Sequence, residues 1–171
     1  VRLLLGEKGI AYELISEYPW EKRPGFRDIS QTGQTPAMRN SERDVAIADS
    51  NAICEYFEEV EPAKPLLVGS AEVRAETRRL IAWFDGRFYA EVGMPLLAEK
   101  MIKRLFYRQS PDAGVLRSAM RATTEHMEML GAALDHHRWL VGNAISMADL
   151  AAAAHLSVAD YLGGIDWAGH D

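Results

Sequence analysis

Four short stretches of this 171-residue chain stand out, three for residue types that can bind a ligand or partner and one for a structural device. The first is Gln34-Thr35-Pro36, just where flanking apolar residues predict that a strand begins. Proline donates no backbone hydrogen bond, so it belongs at a strand's first residue, an edge or a bulge. A trans proline on an edge strand satisfies that rule. A cis proline satisfies it too, and leaves the main chain of Thr35 outside the sheet, open to the backbone of an added peptide. The second stretch is Asp49-Ser50, directly ahead of an amphipathic helical pattern. A helix N-terminus offers free N–H groups and a partial positive charge, which suits a carboxylate. Asp49 can accept from an ammonium group, so the pair can hold an α-amino acid head group. Simple capping, with Ser50 as the N-cap, accounts for the same two residues.

The third stretch, "AISMADLAAAAHL", is structural. Ser146 and Asp149 have the spacing of a capping box, and Ile145 and Leu150 sit where a hydrophobic staple would close. The fourth is Trp20 in "YPWEKRPGF", a large aromatic in a polar, proline-bounded loop. It either anchors a partner from an exposed position or fills the core. Cys54 lies beside Glu55, Glu58 and Glu59, an acidic setting that disfavours a thiolate, so it reads as inert and partly buried. No Cys-x-x-Cys is present, which argues against thiol–disulfide exchange. His136 and His137 point to different helix faces and do not form a metal pair. His126 and His155 read as ordinary helix residues, and no metal site is expected. Arg78, Arg79 and Arg87 read as a solvated face or a dimer contact.

The elements that must position these residues follow from periodicity. Val1, Leu4 and Leu5 share a helical face, and Gly9 suits the residue after a helix end. Nothing in the sequence caps the start of that helix, which predicts further chain upstream. "AYELISEY" alternates and predicts a short strand. A loop follows, with one or two helical turns at Phe26–Ser30. "TPAMR" and "DVAIA" flank a turn and predict an antiparallel hairpin. Ile53, Tyr56, Phe57 and Val60 mark an amphipathic helix. "EPAKPLLVGS" reads as a linker. The rest is helical: a first helix with a stripe at Leu80, Phe84 and Phe88, kinked or broken by Gly93 and Pro95; a second through Leu116, Met120 and Leu134; and a last one from Met147 to about Leu162. The predicted domains are therefore 1–60, a linker at 61–70, and an all-helical 71–171. One further strand upstream of Val1 would complete the order of a thioredoxin-like fold, which enters its third strand through a cis-proline.

Composition excludes several functions. Hydrophobic residues make up 48% and charged residues 26%, with a net charge of −6. That balance disfavours nucleic acid and anionic membranes, both of which need clustered Lys and Arg. No apolar run reaches the ~18 residues of a membrane span. A single cysteine permits no intrachain disulfide and fits a reducing, cytoplasmic compartment.

Taken together, "TGQTPAM", "ADSNAICEYFEE" and "WLVGNAISMADLAAAA" resemble the soluble glutathione S-transferases over both domains. The resemblance implies glutathione as co-substrate, a small electrophile as the second substrate, and a homodimer. It implies that Thr35 binds the cysteinyl backbone with Pro36 setting the geometry, that Asp49 and Ser50 take the γ-glutamyl amine and carboxylate, and that Gln34 lies near the glycyl end. The family's thiol-activating Ser, Cys or Tyr precedes the first helix, so no residue of this chain is assigned to that role. "PWEKRPGF" also resembles a bacterial subgroup that binds the filament protein FtsZ in cell division, which implies a binding protein as the alternative to an enzyme.

Overall fold

The computed structural model describes residues 1–135 and 137–169. Its residues divide into two compact units, Val1–Leu66 and Leu67–Asp171. The first is a thioredoxin-like α/β domain and the second is all helical.

In the first unit, α1 (Arg2–Lys8) starts without a side-chain cap and stops at Gly9, whose φ of 73° is left-handed. β1 (Ala37–Asn40) and β2 (Val45–Ala48) pair antiparallel, with Ala37 opposite Ala48 and Asn40 opposite Val45. α2 (Ser50–Val60) follows and buries Ile53, Cys54 and Phe57. Cys54 is buried, where a partly buried thiol was expected. The strand expected at "AYELISEY" does not form: residues 10–18 are irregular, with no ladder partner among the described residues. Alternation alone does not make a strand, because its N–H and C=O groups need a neighbour to pair with. Leu14 and Ile15 accordingly stay exposed.

One buried ion pair ties this unit together. Lys8 Nζ lies 2.9 Å from Glu58 Oε1, with the two side chains only 1% and 9% exposed. Lys8 also donates to the carbonyl of Glu61, and Glu58 Oε2 accepts the N–H of Leu66. The pair thus joins α1 to α2 and to the chain that leaves α2.

In the second unit, α3 (Ala71–Ala82) does not break at Gly93 or Pro95. It continues through a π-type segment (Trp83–Gly93), α4 (Met94–Leu97) and a second π-type segment (Ala98–Tyr107). Met94 N–H already reaches back five residues to Tyr89. The helix therefore meets proline in a widened register that absorbs the missing donor. α5 (Ala113–Leu134) and α6 (Met147–Tyr161) pack on this long helix. Phe84, Phe88, Val92 and Leu96 form the centre of the core.

His126 and His155 are not ordinary helix residues. His126, fully buried on α5, places Nε2 2.9 Å from Glu91. His155 on α6 places Nε2 2.8 Å from Asp85. Both carboxylates belong to the segment Trp83–Gly93, and both imidazoles pack edge-on against Phe88. Each histidine is a polar tie between neighbouring helices.

Glu99, also buried, accepts from the N–H of Asp112 and from Lys103 Nζ, each at 2.7 Å. The Asp112 N–H, then Lys103, hold its carboxyl below the usual range. A depressed folded value means that the stabilisation is present above the ordinary carboxylate range and is lost as pH falls through the folded value. Glu99→Gln is expected to flatten the acid limb of this unit's stability, read as urea midpoints between about pH 3 and 7.

The capping box at α6 forms, and Asp149 is its hub. Asp149 Oδ2 accepts from the N–H (2.8 Å) and hydroxyl (2.7 Å) of Ser146, while Oδ1 accepts from the N–H of Leu140 (2.9 Å). The carboxylate therefore pins the preceding loop as well as the helix start. Asp149→Ala is expected to cost roughly 1.5–3 kcal/mol, above the usual loss for a single cap. Urea unfolding checks this, with ligand affinity unchanged. His136 lies outside the described residues. Its neighbour His137 donates its N–H to the carbonyl of Leu134.

Candidate functional site

Two chain segments meet at the start of β1. Ala37 pairs with Ala48, so the residues just before β1 lie across from those just after β2. The N–H of Asp49 donates to the carbonyl of Pro36 at 3.2 Å. The hairpin therefore brings Thr35-Pro36 and Asp49-Ser50 to one edge of the domain. The Thr35–Pro36 bond is cis. Among the described residues, the N–H and C=O of Thr35 have no hydrogen-bond partner, and Thr35 is exposed. One peptide's worth of main chain is thus open beside the N-terminus of α2.

The loop leading into Pro36 is held by a residue that sequence reasoning missed. Ser30 is fully buried, and its Oγ donates to the carbonyl of Gln34 (2.8 Å) and accepts the N–H of Gln34 (3.1 Å). Gly33 turns the chain between them with φ at 71°, and its N–H returns to the carbonyl of Ser30. The available signal was a serine in a turn-rich run, "DISQTGQTP", since serine hydroxyls commonly bond to nearby backbone. The Gln34 main chain is fixed, while the residue is exposed.

At α2 the capping assignment reverses. Asp49, not Ser50, is the N-cap: its Oδ1 accepts from the N–H of Asn51 (2.8 Å) and of Ala52 (3.1 Å). Ser50 is the first helical residue. The switch follows from the backbone of Asp49, whose φ of 84° and ψ of 131° turn its carboxylate back over the helix start. A non-glycine residue held there is strained, and such strain gathers at functional sites. Capping occupies one carboxylate oxygen and two of the helix's free donors. Among the described residues, Ser50's N–H and hydroxyl and Asp49 Oδ2 remain without partners. These are two donors suited to a carboxylate, next to one acceptor suited to an ammonium group. Among the described residues no cluster of His, Cys, Asp and Glu is suited to a metal. No helix among them is long and apolar enough to cross a membrane.

Trp20 sits in a 3-10 turn (Pro19–Glu21) and is 62% exposed. Its ring lies 5.2 Å from that of Tyr18, itself 49% exposed. Arg23 donates to Glu17 across the same loop. Arg79 pairs with Glu76, and Arg87 with Glu91, on the solvated face.

Comparison with known proteins agrees with this architecture. Residues 1–60 match the glutathione S-transferase N-terminal domain, and residues 94–164 match the C-terminal domain. FtsZ-localized protein A of Caulobacter vibrioides is 41% identical over 169 residues, covering 98% of this chain and 74% of that protein. The solved structure of FzlA from C. crescentus superimposes with a TM-score of 0.92 at 40% identity, over 99% of this chain and 76% of that one. A glutathione S-transferase structure from Rhodospirillum rubrum F11 gives a TM-score of 0.93 at 39% identity, with the same coverage. With both domain models matched in order, and a relative of this similarity aligned along 98% of this chain, the chain belongs to the glutathione S-transferase family.

Proposed function

We propose that this chain acts as a filament-binding member of its family, associating with FtsZ in the cytoplasm as a homodimer. The observation that carries this reading is the 41% identity with FtsZ-localized protein A over 98% of the chain. The exposed Tyr18–Trp20 pair gives the reading a surface, because Trp and Tyr are enriched among the residues that anchor protein interfaces. Co-sedimentation of the full-length protein with polymerised FtsZ tests it: the protein is expected to pellet with filaments and to stay in solution without them.

A second reading, glutathione binding with transfer to a small electrophile, is favoured by the unpaired main chain of Thr35 beside the free donors of Ser50. In this reading Thr35 takes the cysteinyl backbone and Pro36 shapes the loop. Ser50 donates to the γ-glutamyl carboxylate, Asp49 Oδ2 accepts from the ammonium, and Gln34 lies toward the glycyl end. The thiolate then attacks the electrophile. The diagnostic variant is Asp49→Asn, since asparagine keeps the capping oxygen and removes the charge. Losing a charge-assisted hydrogen bond of ~1.5–3 kcal/mol is expected to weaken glutathione roughly tenfold or more by calorimetry, with the urea midpoint held. Equal affinity in the variant would remove Asp49 from the site.

A further inference from the structure

The buried Ser30 spends every polar group it has on one turn of chain. Its N–H donates to the carbonyl of Phe26 (2.9 Å), and its carbonyl accepts from the N–H of Gly33 (2.8 Å). Its hydroxyl brackets a single residue, accepting the N–H of Gln34 (3.1 Å) and donating to the carbonyl of Gln34 (2.8 Å). A serine hydroxyl has one proton to give. The 2.8 Å contact claims it, which leaves the Thr32 hydroxyl, 3.4 Å away, as a donor to the same oxygen. The effect of that proton reaches one residue further. Among the described residues the cis bond is Thr35–Pro36, so the Gln34–Thr35 bond is trans. In a planar trans peptide the C=O and the following N–H point to opposite sides. Fixing the carbonyl of Gln34 on Ser30 therefore aims the N–H of Thr35 away from the buried serine. That N–H is one of the two Thr35 main-chain groups without a partner among the described residues.

We propose that Ser30 is a positioning residue for ligand binding: through the Gln34–Thr35 peptide it aims the N–H of Thr35 outward and strengthens it as a donor to the carbonyl of an extended peptide backbone. The strengthening follows from the bonds running in series. The N–H of Gln34 donates to Ser30 Oγ, the Ser30 hydroxyl donates to the carbonyl of Gln34, and the same peptide unit ends in the N–H of Thr35. Hydrogen bonds in such a chain polarise one another, so the free donor at its end is a better donor than an isolated amide. The aim is held in advance, because Ser30 is itself tied to Phe26 and Gly33 and cannot turn with the exposed residues it holds. The ligand's identity rests on the glutathione reading above, whereas the aim of the Thr35 N–H does not.

The test uses the full-length protein, first without ligand and then with glutathione. In the ligand-free wild type the Thr35 amide is expected to be rigid by NMR relaxation, with an order parameter of about 0.85. In Ser30→Ala it is expected to fall below about 0.6, while the amides of β1, β2 and α2 keep their values. Ser30→Cys fills the same space with a weaker donor and is expected to fall between the two. Glutathione affinity by calorimetry is expected to drop roughly fivefold or more in Ser30→Ala, and less in Ser30→Cys. The Ser30→Ala loss is expected to multiply with that of Asp49→Asn, since in this reading the two act on different parts of the ligand. A rigid Thr35 amide in Ser30→Ala, disorder that spreads through β1, β2 and α2, or unchanged glutathione affinity would overturn the proposal. If Ser30→Ala does not fold, Ser30→Cys decides alone: wild-type order and affinity there would overturn it. Wild type that binds no glutathione, while Thr35 order still follows residue 30, would remove glutathione as the ligand and uphold the aiming of Thr35 by Ser30.

Discussion

Lys8→Met is expected to destabilise the amino-terminal unit by about 3–5 kcal/mol. The Lys8 side chain is 1% exposed, and it supplies the counter-charge to Glu58, which is nearly as buried. Methionine fills the space of the lysine stem but leaves the carboxylate uncompensated in a low-dielectric setting. It also deprives the carbonyl of Glu61 of its 2.8 Å donor. The measurement is urea unfolding followed by hydrogen exchange in residues 1–66. Lys8→Met/Glu58→Gln is the informative partner. Glutamine removes the stranded charge while keeping an acceptor for the N–H of Leu66, so the double variant is expected to recover much of the loss. A double variant no more stable than Lys8→Met would show that packing, and not charge, sets the cost.

Trp20→Ala is expected to weaken binding to FtsZ filaments by at least ~30-fold, the equivalent of about 2 kcal/mol for an interface anchor. The ring is 62% exposed and contacts Tyr18, so its removal leaves no cavity in the core. Stability is therefore expected to hold, which separates a binding effect from unfolding. Asp49→Asn, in the same unit, is expected to leave filament binding intact. If glutathione transfer is instead the activity, the two variants exchange phenotypes: Asp49→Asn impairs turnover and Trp20→Ala does not.

Local signals carried most of the fold. The switch from alternation to helical spacing at Ser50 marked the hairpin and α2, and the Ser146–Asp149 spacing marked the start of α6. Signals that depend on distant chain were illegible. His126 and Glu91 are 35 positions apart, so nothing near His126 announced a buried partner. "AYELISEY" has a strand's alternation, but pairing is decided elsewhere, and it stays irregular. Gly93 and Pro95 read as a kink or break because the widened register in which the helix continues, with Met94 N–H bonded back to Tyr89, leaves no mark in the residue types. At the candidate site, the two segments were legible from their motifs. The division of labour within Asp49-Ser50 was not, because both residue types cap helices and the choice rests on a backbone angle at Asp49. Ser30, which holds the loop, carried only a generic turn signal.

The most direct measurement is co-sedimentation of the full-length protein with polymerised FtsZ, wild type beside Trp20→Ala and Asp49→Asn. Filament binding by wild type and Asp49→Asn, with loss in Trp20→Ala, is the predicted result. Wild type that stays in the supernatant at every filament concentration, while binding glutathione and turning over a model electrophile, would contradict it.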